Sequence, residues 1–129
     1  MRRQYHLRPS DRGLLAWDVH RLIRLTRDFP RISVPLAAIQ ELDENFWFDH
    51  GASATCRAVV EHARLIAAAD LAYPIILCSA GRVMDGMHRV GKAMLLGFSH
   101  VAAVQFVEDP EPDFIGVDPD DLSYEELPL

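Results

Sequence analysis

The sequence lacks the features that mark exported, membrane-spanning and metal-binding proteins. Its only two cysteines, Cys56 and Cys78, form no CxxC motif and no Cys/His spacing, so neither a disulfide framework nor a structural zinc site is indicated. No apolar run approaches the roughly 20 residues needed to cross a bilayer, and no apolar segment follows the basic N-terminus. The histidines show no HxH or HExxH spacing, which argues against an intrinsic metal site. We therefore expect a soluble cytoplasmic protein.

Charge is unevenly distributed along the chain, although the net charge is only −6. Residues 1–31 contain eight arginines and three aspartates, whereas residues 108–129 contain nine acidic residues and no basic one. An acidic chain repels nucleic acid, because contacts with phosphates dominate that affinity. Nucleic-acid binding is therefore not expected unless the arginine-rich N-terminal segment acts alone.

The length and composition fit one domain with an extension at each end. At 129 residues, half of them hydrophobic, the chain can bury a core of its own. Residues 1–31 are expected to form a helical extension, with an amphipathic helix over 15–29. Residues 32–107 form the domain proper, and residues 108–129 form an acidic tail whose prolines and charges oppose regular structure. The tail is expected either to pack on the domain or to cover a binding site.

Hydrophobic periodicity predicts strands and helices in the central segment. We expect strands over 32–34, 74–78, 82–84 and 101–106, and helices over 36–42, from Ser53 or Thr55 to 69, and from Gly86 or Met87 to 97. The last of these helices should bury Met94, and Gly97 suits a left-handed C-cap. The pattern predicts a small α/β (α+β) domain in which a short mixed sheet is flanked by helices.

The segment Asp85-Gly86-Met87-His88-Arg89 carries the clearest chemical signal, because a strand runs there directly into a helix. The first amides of a helix lack intrahelical partners and attract anions. Two cations in this turn and the next, Arg89 and Lys92, together with His88, favour a bound phosphate. Alternatively, Asp85 is only the N-cap of the helix, and Arg89 pairs with it or with a carboxylate of the tail.

Residues 32–107 resemble the ParB/sulfiredoxin superfamily in the order of their elements and in this box of residues. The resemblance implies that Gly86, His88 and Arg89 bind nucleotide phosphates and that Asp85 supports the turn. Sulfiredoxins have a catalytic cysteine where this sequence has Met87, so reduction of a sulfinic acid is not expected. The box also differs from that of the chromosome-partitioning proteins, so a role in chromosome segregation is not expected.

The box is closest to that of the free-serine-kinase branch of the superfamily, which uses a glutamate after the first strand and helix as a base. Glu41 and Glu44 occupy that region here and are the tentative catalytic bases. Phosphoryl transfer also requires charge neutralisation and Mg²⁺, which would enter with the nucleotide. Alternatively, these carboxylates only solvate a loop or cap a helix.

Aromatic side chains are concentrated just after these acids, at Phe46, Trp47 and Phe48. Trp47 is either a lid that stacks on a base or sugar, or part of the core beneath the loop; burial of area favours the core. Trp17, in the N-terminal segment, is expected to be a packing anchor.

Three functions follow from these features. The first is a nucleotide-binding module, for a nucleoside triphosphate such as ATP or CTP or for a diphosphate, with a protein partner docked on the basic N-terminal helix or the acidic tail. The second is a small-molecule phosphotransferase that resembles free serine kinase. The third, which has the weakest support, is a nucleic-acid-associated protein that uses the N-terminal arginines.

Overall fold

The structure is a computed structural model that describes residues 3–49 and 51–124. Within these ranges the chain forms seven short strands in two sheets and three α-helices. In chain order the elements are β1 (Tyr5–Arg8), β2 (Leu15–Asp18), α1 (Val19–Leu25), β3 (Ile32–Pro35), α2 (Cys56–Ala68), β4 (Ile75–Leu77), β5 (Val83–Asp85), α3 (Met87–Leu95), β6 (His100–Gln105) and β7 (Phe114–Ile115). The expected fold class, a small α+β domain, is confirmed.

The four-stranded sheet has the order β3-β6-β4-β5 and carries apolar clusters on both faces. β6 pairs antiparallel with β3 and parallel with β4, and β4 turns back antiparallel into β5, so the sheet is mixed as predicted. Successive side chains of a strand point to opposite faces. Accordingly, Ile75 and Leu77 pack with α3 on one face, and Ile76 packs with α1 and β2 on the other.

The N-terminal segment does not form the long helix expected over 15–29. Residues 15–17 are consecutive and all buried, which one apolar stripe on a helix cannot achieve. They form β2, the middle strand of a second sheet with the order β1-β2-β7. Helix α1 begins only after Asp18, whose carboxylate accepts a hydrogen bond from the amide of His20.

The prediction of a helix over 36–42 is also wrong, because this segment forms two 3-10 turns, Leu36–Ala38 and Gln40–Asp43. The backbone of Ile39 is extended between them, with φ −90° and ψ 101°. Positions 36, 39 and 41 do not share one face of an α-helix. The break at Ile39 lets all three of these side chains be buried.

Helices α2 and α3 lie close to their predicted positions. Thr55 caps α2 by accepting a hydrogen bond from the amide of Ala58, and Gly97 follows α3 with a φ of 81°. The expected burial of Met94 is wrong, since 61% of this residue is exposed. No residue of α2 is fully buried, so this helix lies on the surface of the domain. None of the helices in the described ranges is long and apolar enough to span a membrane.

The acidic tail packs against the N-terminal sheet. β7 pairs with β2, and the indole of the buried Trp17 donates to a backbone carbonyl of the tail over 2.8 Å, as expected of a packing anchor. Arg8 pairs with Asp109 at 3.5 Å, and Arg21 pairs with Asp113 at 3.3 Å. Opposite charges from the two ends of the chain are therefore partly neutralised within the molecule.

His6, in strand β1, makes the stability of the folded protein depend on pH. Its ring packs beside Trp17, with centroids 5.6 Å apart, and burial together with the neighbouring Arg8 lowers its pKa to about 4. The unfolded chain binds this proton near the ordinary value of about 6.5. The contribution of His6 to stability is therefore present above pH 6.5 and is lost as the pH falls towards 4.

We predict that wild-type protein loses about 3 kcal/mol of unfolding free energy through His6 between pH 7 and pH 4, beyond the loss caused by carboxylates. The His6→Asn variant should show a flatter profile in urea denaturation over this range. His100→Asn, at an exposed position, is the matched control and should follow the wild type. Parallel profiles for wild type and His6→Asn would contradict the prediction.

Candidate functional site

The junction between β5 and α3 can be formed only by glycine. Gly86 has a φ of +105°, and a Cβ added there would lie 2.8 Å from Cγ2 of Ile75 and 3.0 Å from the guanidinium of Arg89. Within residues 3–49 and 51–124, no side-chain hydrogen bond caps the first turn of α3. The amides that begin the helix are therefore uncapped by this part of the chain, and the positive end of the helix dipole lies there.

Two clefts meet at this junction, and both are lined by Asp85, Gly86, Met87 and His88. We name them by their charged residues. The arginine cleft, about 790 Å³ in volume, is lined by Arg27, Arg31 and Arg89 and by the aromatic rings of Phe29 and Tyr73. The carboxylate cleft, about 800 Å³, is lined by β1, Glu41, Glu44, Trp47 and Arg82. Residues 108–124 of the tail line neither cleft, so the described part of the tail does not cover the junction.

The side chain of Arg89 makes hydrogen bonds that stabilise the junction. Its guanidinium donates to the carboxylate of Asp85 and to the carbonyl of Pro74, each over 2.8 Å. The side chains of Arg89 and Asp85 are each only 17% exposed. The pairing of Arg89 with Asp85 is thus present, as in the alternative interpretation of the sequence, whereas Asp85 does not cap α3.

Lys92 does not reach the junction. Its Nζ donates to the carbonyls of Ala67 and Ala69, over 3.0 and 2.7 Å, and so satisfies the C-terminal end of α2. A residue one turn into α3 is about 5 Å further along the axis than the first turn. The unpaired carbonyls at the end of α2 are the acceptors that Lys92 reaches, and its expected role in phosphate binding is not supported by this position.

His88 forms a cluster with a histidine that the sequence did not single out. Nδ1 of His62, on α2, lies 2.9 Å from Nε2 of His88. The indole of Trp47 stacks on both rings, with both centroid distances at 4.8 Å. Burial and the neighbouring His62 lower the pKa of His88. Trp47 packs against the core, as burial of area favoured, and it also lines the carboxylate cleft.

His62 could have been found from helical spacing. It is four residues before Ile66, whose side chain lies against α3 near Gly91, and residues at this spacing share one face of a helix. The residue pattern of α2 alone does not reveal the role of His62, because its partner His88 is 26 positions away along the chain.

Glu41 and Glu44 differ sharply in environment. Glu41 is only 3% exposed, and its Oε2 accepts from the amide of Val83 over 2.7 Å and lies 3.3 Å from Nε of Arg82. Its Oε1 is buried and has no hydrogen-bond partner among the described residues. Glu44 is exposed, and its hydrogen bonds with Arg82 lower its pKa. Glu41 is therefore the carboxylate with free accepting capacity.

No protein-family model matches this chain, and no curated protein or solved structure is detectably similar to it. In the described residues, no three His, Cys, Asp or Glu side chains are placed to hold a metal ion. The chemistry of the site is therefore argued from its own geometry.

We predict that Arg89→Ala lowers the free energy of unfolding by about 2 to 4 kcal/mol, because it leaves a partly buried carboxylate and a carbonyl unpaired. Urea denaturation at pH 7 measures the effect. Arg57→Ala, at an exposed position of α2, should change stability by less than about 0.5 kcal/mol. An Arg89→Ala variant as stable as Arg57→Ala would show that the hydrogen bonds of Arg89 do not contribute to the free energy of unfolding.

Proposed function

We propose that this protein binds the phosphate group of a nucleotide at the N-terminus of α3, where the two clefts meet. The observation that carries the proposal is the junction itself: an uncapped helix start behind a glycine with positive φ, opening into both clefts. Backbone amides and the helix dipole at such a start bind anions without a dedicated cation. The proposal agrees with the phosphate role that the ParB/sulfiredoxin resemblance implies for this box.

Charge around the junction favours an asymmetric mode of binding. The arginine cleft has three arginines against two aspartates, Asp70 and Asp85. The carboxylate cleft has two arginines, Arg8 and Arg82, against four carboxylates. A chain of phosphates is therefore expected to extend from the start of α3 into the arginine cleft. Mg²⁺ carried by the nucleotide, or a neutral or cationic second group, suits the carboxylate cleft.

Arg27 is the cation best placed to test this arrangement. It is exposed and lines the arginine cleft, and its guanidinium makes no ion pair or hydrogen bond with a residue of 3–49 or 51–124. A guanidinium without such partners is available to a phosphate, with which it forms charge-assisted hydrogen bonds.

We predict that Arg27→Gln weakens binding of ATP, ADP or CTP about tenfold, the effect of losing one charge-assisted hydrogen bond. Calorimetric titration with and without Mg²⁺ measures the affinity. Arg24→Gln removes the same charge from an exposed position of α1 that lines neither cleft, and it should bind nearly as the wild type does. Equal weakening in both variants would indicate only a general effect of charge, and no binding by the wild type would overturn the proposal.

A second function, phosphoryl transfer, is favoured by one observation. Glu41 lines the carboxylate cleft together with the start of α3, and it holds a buried carboxylate oxygen without a partner in the described chain. A carboxylate in this position can accept the proton of an acceptor hydroxyl group as the hydroxyl oxygen attacks the terminal phosphorus atom of the nucleotide. The bond from that phosphorus atom to its bridging oxygen breaks in the same step, and the nucleotide leaves with one phosphate fewer. In this function the acceptor is a small hydroxyl compound, and free serine is the first to test because of the resemblance to free serine kinase.

For this second function, Glu41→Gln should lower turnover at least about 100-fold, the usual contribution of a general base. Nucleotide affinity should stay within about twofold, since glutamine can still accept the hydrogen bond from Val83. Glu44→Gln is the matched control and should retain turnover, because Glu44 is exposed and already paired with Arg82. Product formation is measured by chromatography of the nucleotides, and similar losses in both variants would remove Glu41 from the role of base.

A further inference from the structure

The two histidines beside the junction form a fixed pair. His62 projects from α2 and His88 from the first turn of α3, and their ring nitrogens lie 2.9 Å apart. The two ring planes differ by only 21°, and the indole of Trp47 covers both rings at interplanar angles of 20° and 9°. One flat aromatic surface thus holds the hydrogen-bonded pair in plane.

The atoms that form this bond determine what His88 offers to a ligand. The contact uses Nδ1 of His62 and Nε2 of His88, so Nδ1 is the second ring nitrogen of His88. A neutral imidazole carries one proton, and the hydrogen bond at one nitrogen decides which nitrogen bears it. If His62 donates, Nε2 of His88 accepts and Nδ1 of His88 carries the proton.

His88 lines both clefts, at the place where the phosphate is proposed to sit. An anion selects the arrangement in which the nearest nitrogen is a donor. His62 would therefore act on the ligand only through His88, in the way that a partner group sets the tautomer of a metal-binding histidine.

We propose that His62 is a positioning residue of the phosphate site, which donates through Nδ1 to His88 and thereby holds His88 as a hydrogen-bond donor through its own Nδ1. This inference rests on the proposed nucleotide binding. It assigns to α2 a part in the site that the box of residues at the start of α3 does not contain.

Two substitutions of His62 separate positioning from packing. His62→Leu removes the donor and should weaken ATP binding about tenfold. His62→Asn places a side-chain amide nitrogen close to the position of Nδ1, so it should restore affinity to within about twofold of the wild type. Glu61→Gln, at the neighbouring exposed position of α2, is the matched control and should bind as the wild type does.

Long-range proton–nitrogen NMR spectra at pH 7.5 give a readout that packing alone would not change. They distinguish protonated from unprotonated ring nitrogens, and the His88→Asn spectrum identifies the signals of His88. We expect a protonated Nδ1 on His88 in the wild type and in His62→Asn, and mixed tautomers in His62→Leu. Thermal melting checks that each variant is folded; if His62→Leu does not fold, His62→Asn and the wild-type tautomer decide the question.

Two results would overturn the inference. If the wild type binds ATP and folded His62→Leu binds equally well, or if Nε2 rather than Nδ1 of His88 is protonated, His62 does not position the donor, and the proposed nucleotide site stands. If the wild type binds no nucleotide, the proposed function and this inference fall together. Calorimetry on the wild type therefore distinguishes the two failures.

Discussion

The contacts of the Arg89 guanidinium fix the part of the molecule on which the clefts depend. One side of the guanidinium bonds to the last residue of β5, Asp85, and the other to the carbonyl of Pro74, directly before β4. The side chain itself belongs to α3. A single group therefore ties two adjacent strands to the helix that follows them, and Gly86 is confined between this guanidinium and Ile75. The direction in which α3 presents its first amides follows from these contacts.

The N-terminal sheet and the residues next to it line the clefts. All four residues of β1 line the carboxylate cleft, and Gln4 and Val19, which flank β1 and β2, line both clefts. This sheet is held in place by the tail through β7 and through Trp17. The two ends of the chain, which differ most in charge, thus act together as one support for the site.

Much of the central segment could be predicted from the sequence because local signals agree there with the final packing. A continuous apolar run produced the buried strand β4, and the cap at Thr55 and the glycine at 97 marked the limits of α2 and α3. The helix predicted for the N-terminal segment was wrong because β2 pairs with a strand about 100 positions away, at Phe114 and Ile115. Helical periodicity contains no information about such a partner.

The candidate site was predictable in its backbone and less so in its side chains. The strand-to-helix junction at Gly86 follows from local sequence, whereas the partners of Lys92 and His88 both lie on α2, more than 20 residues away. Sequence spacing placed Lys92 on the same helical face as His88. In the structure, however, Lys92 donates to the carbonyls at the end of α2. Pairings between elements are set by the packing of the sheet and helices, which the residue pattern of one element does not encode.

Helix α2 is attached to the rest of the domain without a fully buried side chain, and this affects how easily it opens. It buries no residue completely, and its links to the domain include the Lys92 contact at its end, the His62 bond in its middle and the half-buried Ile66. Elements with few buried apolar contacts open at a lower free energy than the core and exchange their amide hydrogens sooner. Local opening of α2 would leave β4, β5 and α3 paired while separating His62 from His88. We therefore expect the histidine pair to separate at a lower free energy of opening than the strands of the central sheet.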